Sequence, residues 1–150
     1  MDSLIAEKIR TEKGFLGDAT GGQETGRVDM AKCIKMQFEV QLGAQVGGNA
    51  LALQLVEHDA ATGGNSQNVT SSVPVYVKAD ADASFARVDD GDISALDADA
   101  GTVLVEVYKH DMTDGFTHLS LQIADPGVSR DACISAQLDS KLKPAYQVEL

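Results

Sequence analysis

Apolar and polar residues alternate with a period of two in five stretches of this chain, and no stretch of comparable strength repeats with the period of a helix. The clearest runs from Ile34 to Leu42. Ile34, Met36, Phe38, Val40 and Leu42 fall on one side, and Lys35, Gln37, Glu39 and Gln41 fall on the other, as in a strand with one face on a core and one in water. Between 50 and 57, Leu51, Leu53 and Leu55 share a face, while Ala50, Ala52 and Val56 make the opposite face nearly as apolar. That strand is expected to be covered on both sides, and the glycine-rich 43–49 before it predicts a β-hairpin with the preceding strand. The polar stretch 58–72 reads as an exposed loop. Val73–Lys78 reads as extended, with Pro74 at its start or on a sheet edge because proline cannot donate to a ladder. A short strand follows around 85–88. Val103, Val105 and Val107, then Leu119, Leu121 and Ile123, give two further inward faces. A Thr113-Asp114-Gly115 loop with Gly115 in the left-handed region would join them as a hairpin, setting Val107 opposite Leu121 and His110 opposite His118. A short turn or helix near 129–131, a strand over 133–138 and an ordered tail around Pro144–Tyr146 complete the pattern. It specifies an all-β fold, a small antiparallel β-domain whose inward side chains form one core.

Residues 1–26 stand apart. They carry Gly14, Gly17, Gly21, Gly22 and Gly26 behind a short apolar cluster of Leu4, Ile5 and Ile9. The four-residue step from Ile5 to Ile9 would suit a helical turn. So glycine-rich a segment gains little from burial against its ordering entropy, however, and reads as a glycine-rich N-terminal arm that is flexible until it lies on another protein. The domain division expected is an arm over 1–26 and a sandwich over 27–150.

At 150 residues the chain suits one domain, able to remove about 68–70% of its unfolded surface from water without disulfides or metals. Twenty-three acidic against twelve basic residues leave a net charge of −11, which repels phosphate backbones and anionic lipid, so neither nucleic acid nor membrane is an expected partner. The first residues, with Asp2, Glu7 and Glu12, lack the unbroken apolar run of a signal peptide or anchor, and synthesis in a cytosolic compartment is expected. Cys33 and Cys133 are too few and too far apart for a disulfide framework or a zinc site and read as free thiols, a bridge between them requiring their two runs to lie adjacent with Cα atoms within about 7 Å.

Each chemical constellation lacks a part. His110 and His118 on one hairpin face would supply two donors, half of a zinc site. The aspartates at 80, 82, 89, 90, 92, 97 and 99 do not continue into the ligand string of an EF-hand, so solvated acidic surface is the expectation. His58-Asp59 and His110-Asp111 are adjacent pairs whose side chains point to opposite faces of a strand. No serine stands in a Gly-x-Ser-x-Gly elbow and no glycine loop carries a phosphate-binding lysine. No catalytic residue, metal or cofactor is therefore expected, and the chain is not expected to be an enzyme. Leu104 and Tyr108 make the strand of Val103, Val105 and Val107 apolar on both sides. A buried central strand or a subunit interface explains this equally well, and Leu104, Tyr108, His110 and His118 are the candidate interface residues.

The order of features resembles that of the jelly-roll-like cement or decoration proteins of tailed bacteriophage capsids. It comprises a glycine-containing arm, a strand entered at Gly26-Arg27-Val28-Asp29, a polar mid-loop, the segment Val103–Ile123 containing Asp114-Gly115-Phe116-Thr117-His118, and a closing Lys143-Pro144-Ala145-Tyr146. The resemblance implies a jelly-roll-like β-sandwich that works without catalysis. It would be made in the host cytoplasm, bind the major capsid protein on the outer surface of the virion, and tie capsomers together as a homo-oligomer, a dimer or trimer. From arm composition, Leu4, Ile5, Ile9, Phe15 and Leu16 are the candidate capsid contacts. The rival is a β-sandwich ligand-binding module, for instance for carbohydrate; the absence of tryptophan and the few tyrosines and phenylalanines count against its usual aromatic platform.

Overall fold

A computed structural model describes residues 9–18, 21–31, 33–45, 47, 52–88 and 99–140, with the backbone path alone for 9–18 and 139–140. The strands are β1 Ile9–Asp18, β2 Gln23–Glu24, β3 Val28–Asp29, β4 Cys33–Leu42, β5 Leu53–His58, β6 Ser66–Asn68, β7 Val75–Ala79, β8 Ala86–Val88, β9 Gly101–Tyr108, β10 His118–Ile123 and β11 Asp131–Ser140. One 3-10 turn, Lys109–Asp111, follows β9. The larger sheet has the order β1-β11-β4-β9-β7-β8; the smaller runs β2-β10-β5-β6, with β3 also on β10. Every pairing is antiparallel, and the fold is an all-β sandwich.

The core is what the alternation predicts. Met36, Phe38 and Val40 of β4, Val103, Val105 and Val107 of β9, and Leu119, Leu121 and Ile123 of β10 are all buried. Across the larger sheet Phe38 stands level with Val105 on one side and Ala136 on the other, so one row of inward side chains crosses three strands. Residues Leu55 to His58 of β5 are all buried, so that strand is covered on both sides as its composition indicated. Pro74 immediately precedes β7, and its carbonyl accepts a hydrogen bond from the Glu106 amide at 3.0 Å.

Three expectations are corrected. The first concerns Ile34, which is 48% exposed while Cys33 is buried. On β11 the neighbours Asp139 and Ser140 oppose Lys35 and Cys33, leaving Ile34 as an extra residue in a bulge. One inserted residue shifts the two-residue phase, so the thiol turns inward and the isoleucine outward.

The second concerns the hairpins. β4 and β5 lie in different sheets, as do β9 and β10; the hairpins are β5–β6 and β7–β8. Both inner faces of a sandwich read identically as alternation, so periodicity identifies inward residues without saying which sheet carries them. Gly115 does adopt φ 93°, and the Phe116 amide reaches the Thr113 carbonyl at 3.1 Å, so the turn forms as expected. The 3-10 turn before it lifts the chain off the larger sheet, and the turn spans the gap between sheets. His118 accordingly stands opposite His58, not His110.

The third concerns the segment read as an arm. Its residues Ile9–Asp18 form the outermost strand of the larger sheet on β11, and Gln23–Glu24 pairs with β10. β1 has little apolar alternation to announce it, because a strand added at an edge is held through its backbone bonds. Gly14 and Phe15 together oppose the single residue Ile134, a second bulge.

Cys33 and Cys133 are not joined in a disulfide. Cys33 is level with Ser140 and Cys133 with Gln41, which puts the thiols at opposite ends of one strand pair, roughly 25 Å apart at about 3.3 Å per residue.

Candidate functional site

The residues expected at a capsid contact divide. Ile9, Phe15 and Leu16 belong to β1, with Ile9 level with Asp139 and Leu16 with Cys133; Leu4 and Ile5 lie outside the described residues. The tail at Pro144–Tyr146 and the aspartates at 89, 90, 92 and 97 also lie outside them. Among the described residues no strand pairs with the outer side of β1. The strand therefore presents one row of backbone donors and acceptors along the molecule's rim.

The four candidate interface residues do not share a surface. Leu104 and Tyr108 lie on the outer face of the larger sheet, opposite Tyr76 and Lys35 respectively. The Lys35 ammonium reaches Glu106 at 2.6 Å and stands 5.7 Å from the Tyr108 ring centroid. His110, 80% exposed, stacks on Tyr108 with ring centroids 5.4 Å apart, and its Nε2 is 3.6 Å from Asp111. His118 is in the other sheet, its Nδ1 2.8 Å from the Thr117 hydroxyl. Among the described residues no group of three or more His, Cys, Asp or Glu could hold a metal ion. Asp82 instead accepts the Ala79 amide at 3.2 Å, closing a local turn.

The chemically richest arrangement is on the outer side of the smaller sheet and joins residues far apart in sequence. His58 ends β5, with Ser66 level with it on β6. Its Nδ1 is 2.6 Å from Ser66 Oγ and its Nε2 2.8 Å from Ser120 Oγ. Ser120 Oγ donates to Glu24 Oε1 at 2.6 Å, and that carboxylate oxygen lies 3.7 Å from His58 Nε2. The His58 side chain is 2% exposed and that of Glu24 41%, so the chain of bonds starts at the surface, runs buried across the outer side of the sheet and re-emerges at Ser66. Burial, then the nearby Arg27, hold the His58 imidazole below its ordinary pKa, with Glu24 pulling weakly the other way. Arg27 Nη1 donates to the carbonyls of Ala60 (2.9 Å) and Gly63 (2.6 Å), fixing the β5–β6 turn in which Gly63 and Gly64 have φ near 65°.

The inner end of β5 carries a second buried polar group. Glu57 accepts the Thr113 amide at 2.8 Å and Gln67 Nε2 at 2.6 Å, tying the β9–β10 connection to the smaller sheet. Burial alone would push its carboxyl up, but the Thr113 and Gln67 hydrogen bonds prevail and hold it low.

Nothing in the sequence pattern brings these groups together. His58 has Asp59 as its chain neighbour, and the carboxylate of Asp59 is engaged with Asn65 at 2.9 Å. Ser120 is an ordinary polar position in the alternation, in phase with His118 and Gln122, and gives no local signal.

No protein family matches the chain, and no curated protein sequence matches it. Among solved structures it is similar to the SPBc2 prophage-derived protein YomS, with a TM-score of 0.48 at 9% identity over 87% of this chain and 91% of that one. It is also similar to a chain of infectious bursal disease virus, Gx strain, at TM-score 0.44 and 13% identity over 91% of this chain and 34% of the viral one. A third likeness is to the xylanase 10B CBM22-1–GH10 modules of Clostridium thermocellum complexed with xylohexaose, at TM-score 0.38 and 10% identity over 95% of this chain and 28% of that one. The chain thus spans about a third of the length of the latter two.

Proposed function

We propose that the chain is a virion structural protein that binds the outer capsid shell of a tailed phage and stabilises contacts between capsomers. The observation that carries the reading is β1: a ten-residue strand paired on one side to β11 and, among the described residues, on the other side to nothing. Such a rim accepts a strand from a neighbouring protein through backbone bonds, with side-chain pockets supplying selectivity. Because β1 runs antiparallel to β11, Ile9 and Asp139 lie at the same end of the pair. The backbone at Ile9 and at Asp139 is therefore side by side at one corner of the rim, where one partner can meet both strands. A net charge of −11 suits a protein held on the outside of a DNA-filled shell. The role needs no turnover. Its partner is the major capsid protein, and association as a dimer or trimer multiplies weak individual contacts.

The test is binding to purified phage shells stripped of decoration protein, read by co-sedimentation and electron microscopy. The full chain should saturate regular positions on the outer surface. The triple variant Leu4→Asp, Ile5→Asp, Ile9→Asp should bind at least 10-fold more weakly while keeping its thermal transition. Undiminished binding by the folded variant removes the terminal segment from the contact; no binding by the full chain removes the function. Sedimentation equilibrium of the full chain reads the oligomeric state.

A further inference from the structure

The bonds around His58 can be ordered by counting protons. Ser120 has a single hydroxyl hydrogen, and it goes to the Glu24 carboxylate at 2.6 Å. At its other contact Ser120 Oγ must then accept, so the proton on that side belongs to His58 Nε2. A neutral imidazole protonated at Nε2 has its lone pair on Nδ1, and the contact there at 2.6 Å is filled by the Ser66 hydroxyl donating. The direction is thus fixed from end to end: Ser66 O–H to His58 Nδ1, His58 Nε2–H to Ser120 Oγ, Ser120 O–H to Glu24. Ser66 lies on β6, whose three residues are exposed, while the base it touches is shut away from water.

We propose that Ser66 Oγ is an activated nucleophile that takes acyl groups from small carboxylic esters, with His58 as its general base and Ser120 and Glu24 as positioning residues. Attack forms the bond from Ser66 Oγ to the carbonyl carbon as the hydroxyl proton passes to His58 Nδ1. The ester C–O bond then breaks, and the departing alkoxide takes that proton, leaving acyl-Ser66 and an alcohol. Water attacking the acyl group by the same route returns free Ser66 and a carboxylic acid. Glu24, 3.7 Å from Nε2, offsets the charge His58 acquires in each half. Arg27, close enough to act on His58 and held on the turn leading into β6, supplies positive charge beside the developing oxyanion. This chemistry is independent of shell binding, which the β1 rim would carry.

The test uses the intact chain with a fluorophosphonate probe, followed by intact mass and peptide mapping, and with p-nitrophenyl acetate for turnover. One adduct per chain is expected, on Ser66, and Ser66→Ala should abolish it. Glu24→Gln, at a half-exposed position, should slow labelling about 100-fold without altering the thermal transition, as should His58→Gln where it folds. The labelling rate should rise with pH through a midpoint below 6.5, the ordinary histidine value, since burial first and Arg27 next disfavour the charge on His58 more than Glu24 and Asp59 favour it. No adduct on the folded chain overturns the proposal. So does an adduct elsewhere, or a rate that folded Glu24→Gln leaves unchanged, which would make the cluster a purely structural tie between strands.

Discussion

On the outer face of the larger sheet Lys35 and Glu106 meet at 2.6 Å with about a fifth to a third of each side chain still in water; on the outer face of the smaller sheet His58 and Ser120 are buried and hold each other through uncharged groups. The two faces therefore respond to pH from opposite directions. The hydrogen bond that Lys35 donates to Glu106 raises the Lys35 pKa, against a smaller opposing effect of burial. Its contribution is complete below the ordinary value of 10.5 and is lost as pH rises through the raised value. His58 titrates below its ordinary 6.5, so its contribution is complete above 6.5 and lost as pH falls through the depressed value. Glu57 follows the same sign lower down, beneath 4.5. Acid should open the smaller sheet first, and alkali should loosen the larger one.

The largest expected effect treats the faces as equals, because both rest on one core. Phe38→Ala, at a fully buried position level with Val105 and Ala136, should cost about 3–5 kcal/mol, read by calorimetry. Next, Ser120→Ala removes the middle of the buried chain and leaves His58 Nε2 without its acceptor; a loss of about 1–3 kcal/mol is expected in urea titration at pH 7. Gly115→Ala, at φ 93° with open space around a new Cβ, should cost about 1–2 kcal/mol from backbone strain alone. Lys35→Met should change stability by no more than about 1 kcal/mol at neutral pH and less in high salt. The contrast between the faces fails if Lys35→Met proves costlier than Ser120→Ala. Smallest of all, Ile34→Thr should stay within about 0.5 kcal/mol, since the bulge already turns that side chain to solvent.

The same contrast explains what could be read from sequence. On the larger sheet β4 and β9 have wet outer faces, so alternation names their inward residues directly, from Met36 to Val40 and from Val103 to Val107. Ile34 escaped because a one-residue bulge leaves no mark in the pattern. On β10 the inward residues were also legible, yet their sheet was not, so the hairpin register that joined His110 to His118 failed even though Gly115 turned as expected. The His58 cluster was illegible for another reason. Glu24, Ser66 and Ser120 meet through strand pairing across up to 96 positions of chain, in segments whose composition suggested an arm, a loop and an apolar strand. The strand character of Ile9–Asp18 was hidden because backbone pairing at a sheet rim requires no hydrophobic rhythm.

Arg130, almost wholly buried, donates from Nε to the Gly43 carbonyl at 3.0 Å and from Nη2 to the Asp99 carbonyl at 2.8 Å. One guanidinium thus grips the exit of β4, the approach to β9 and its own entry into β11. These three crossings form a single cooperative unit of local opening: their amides should exchange with deuterium at a common rate, and loosening any one of them frees the other two.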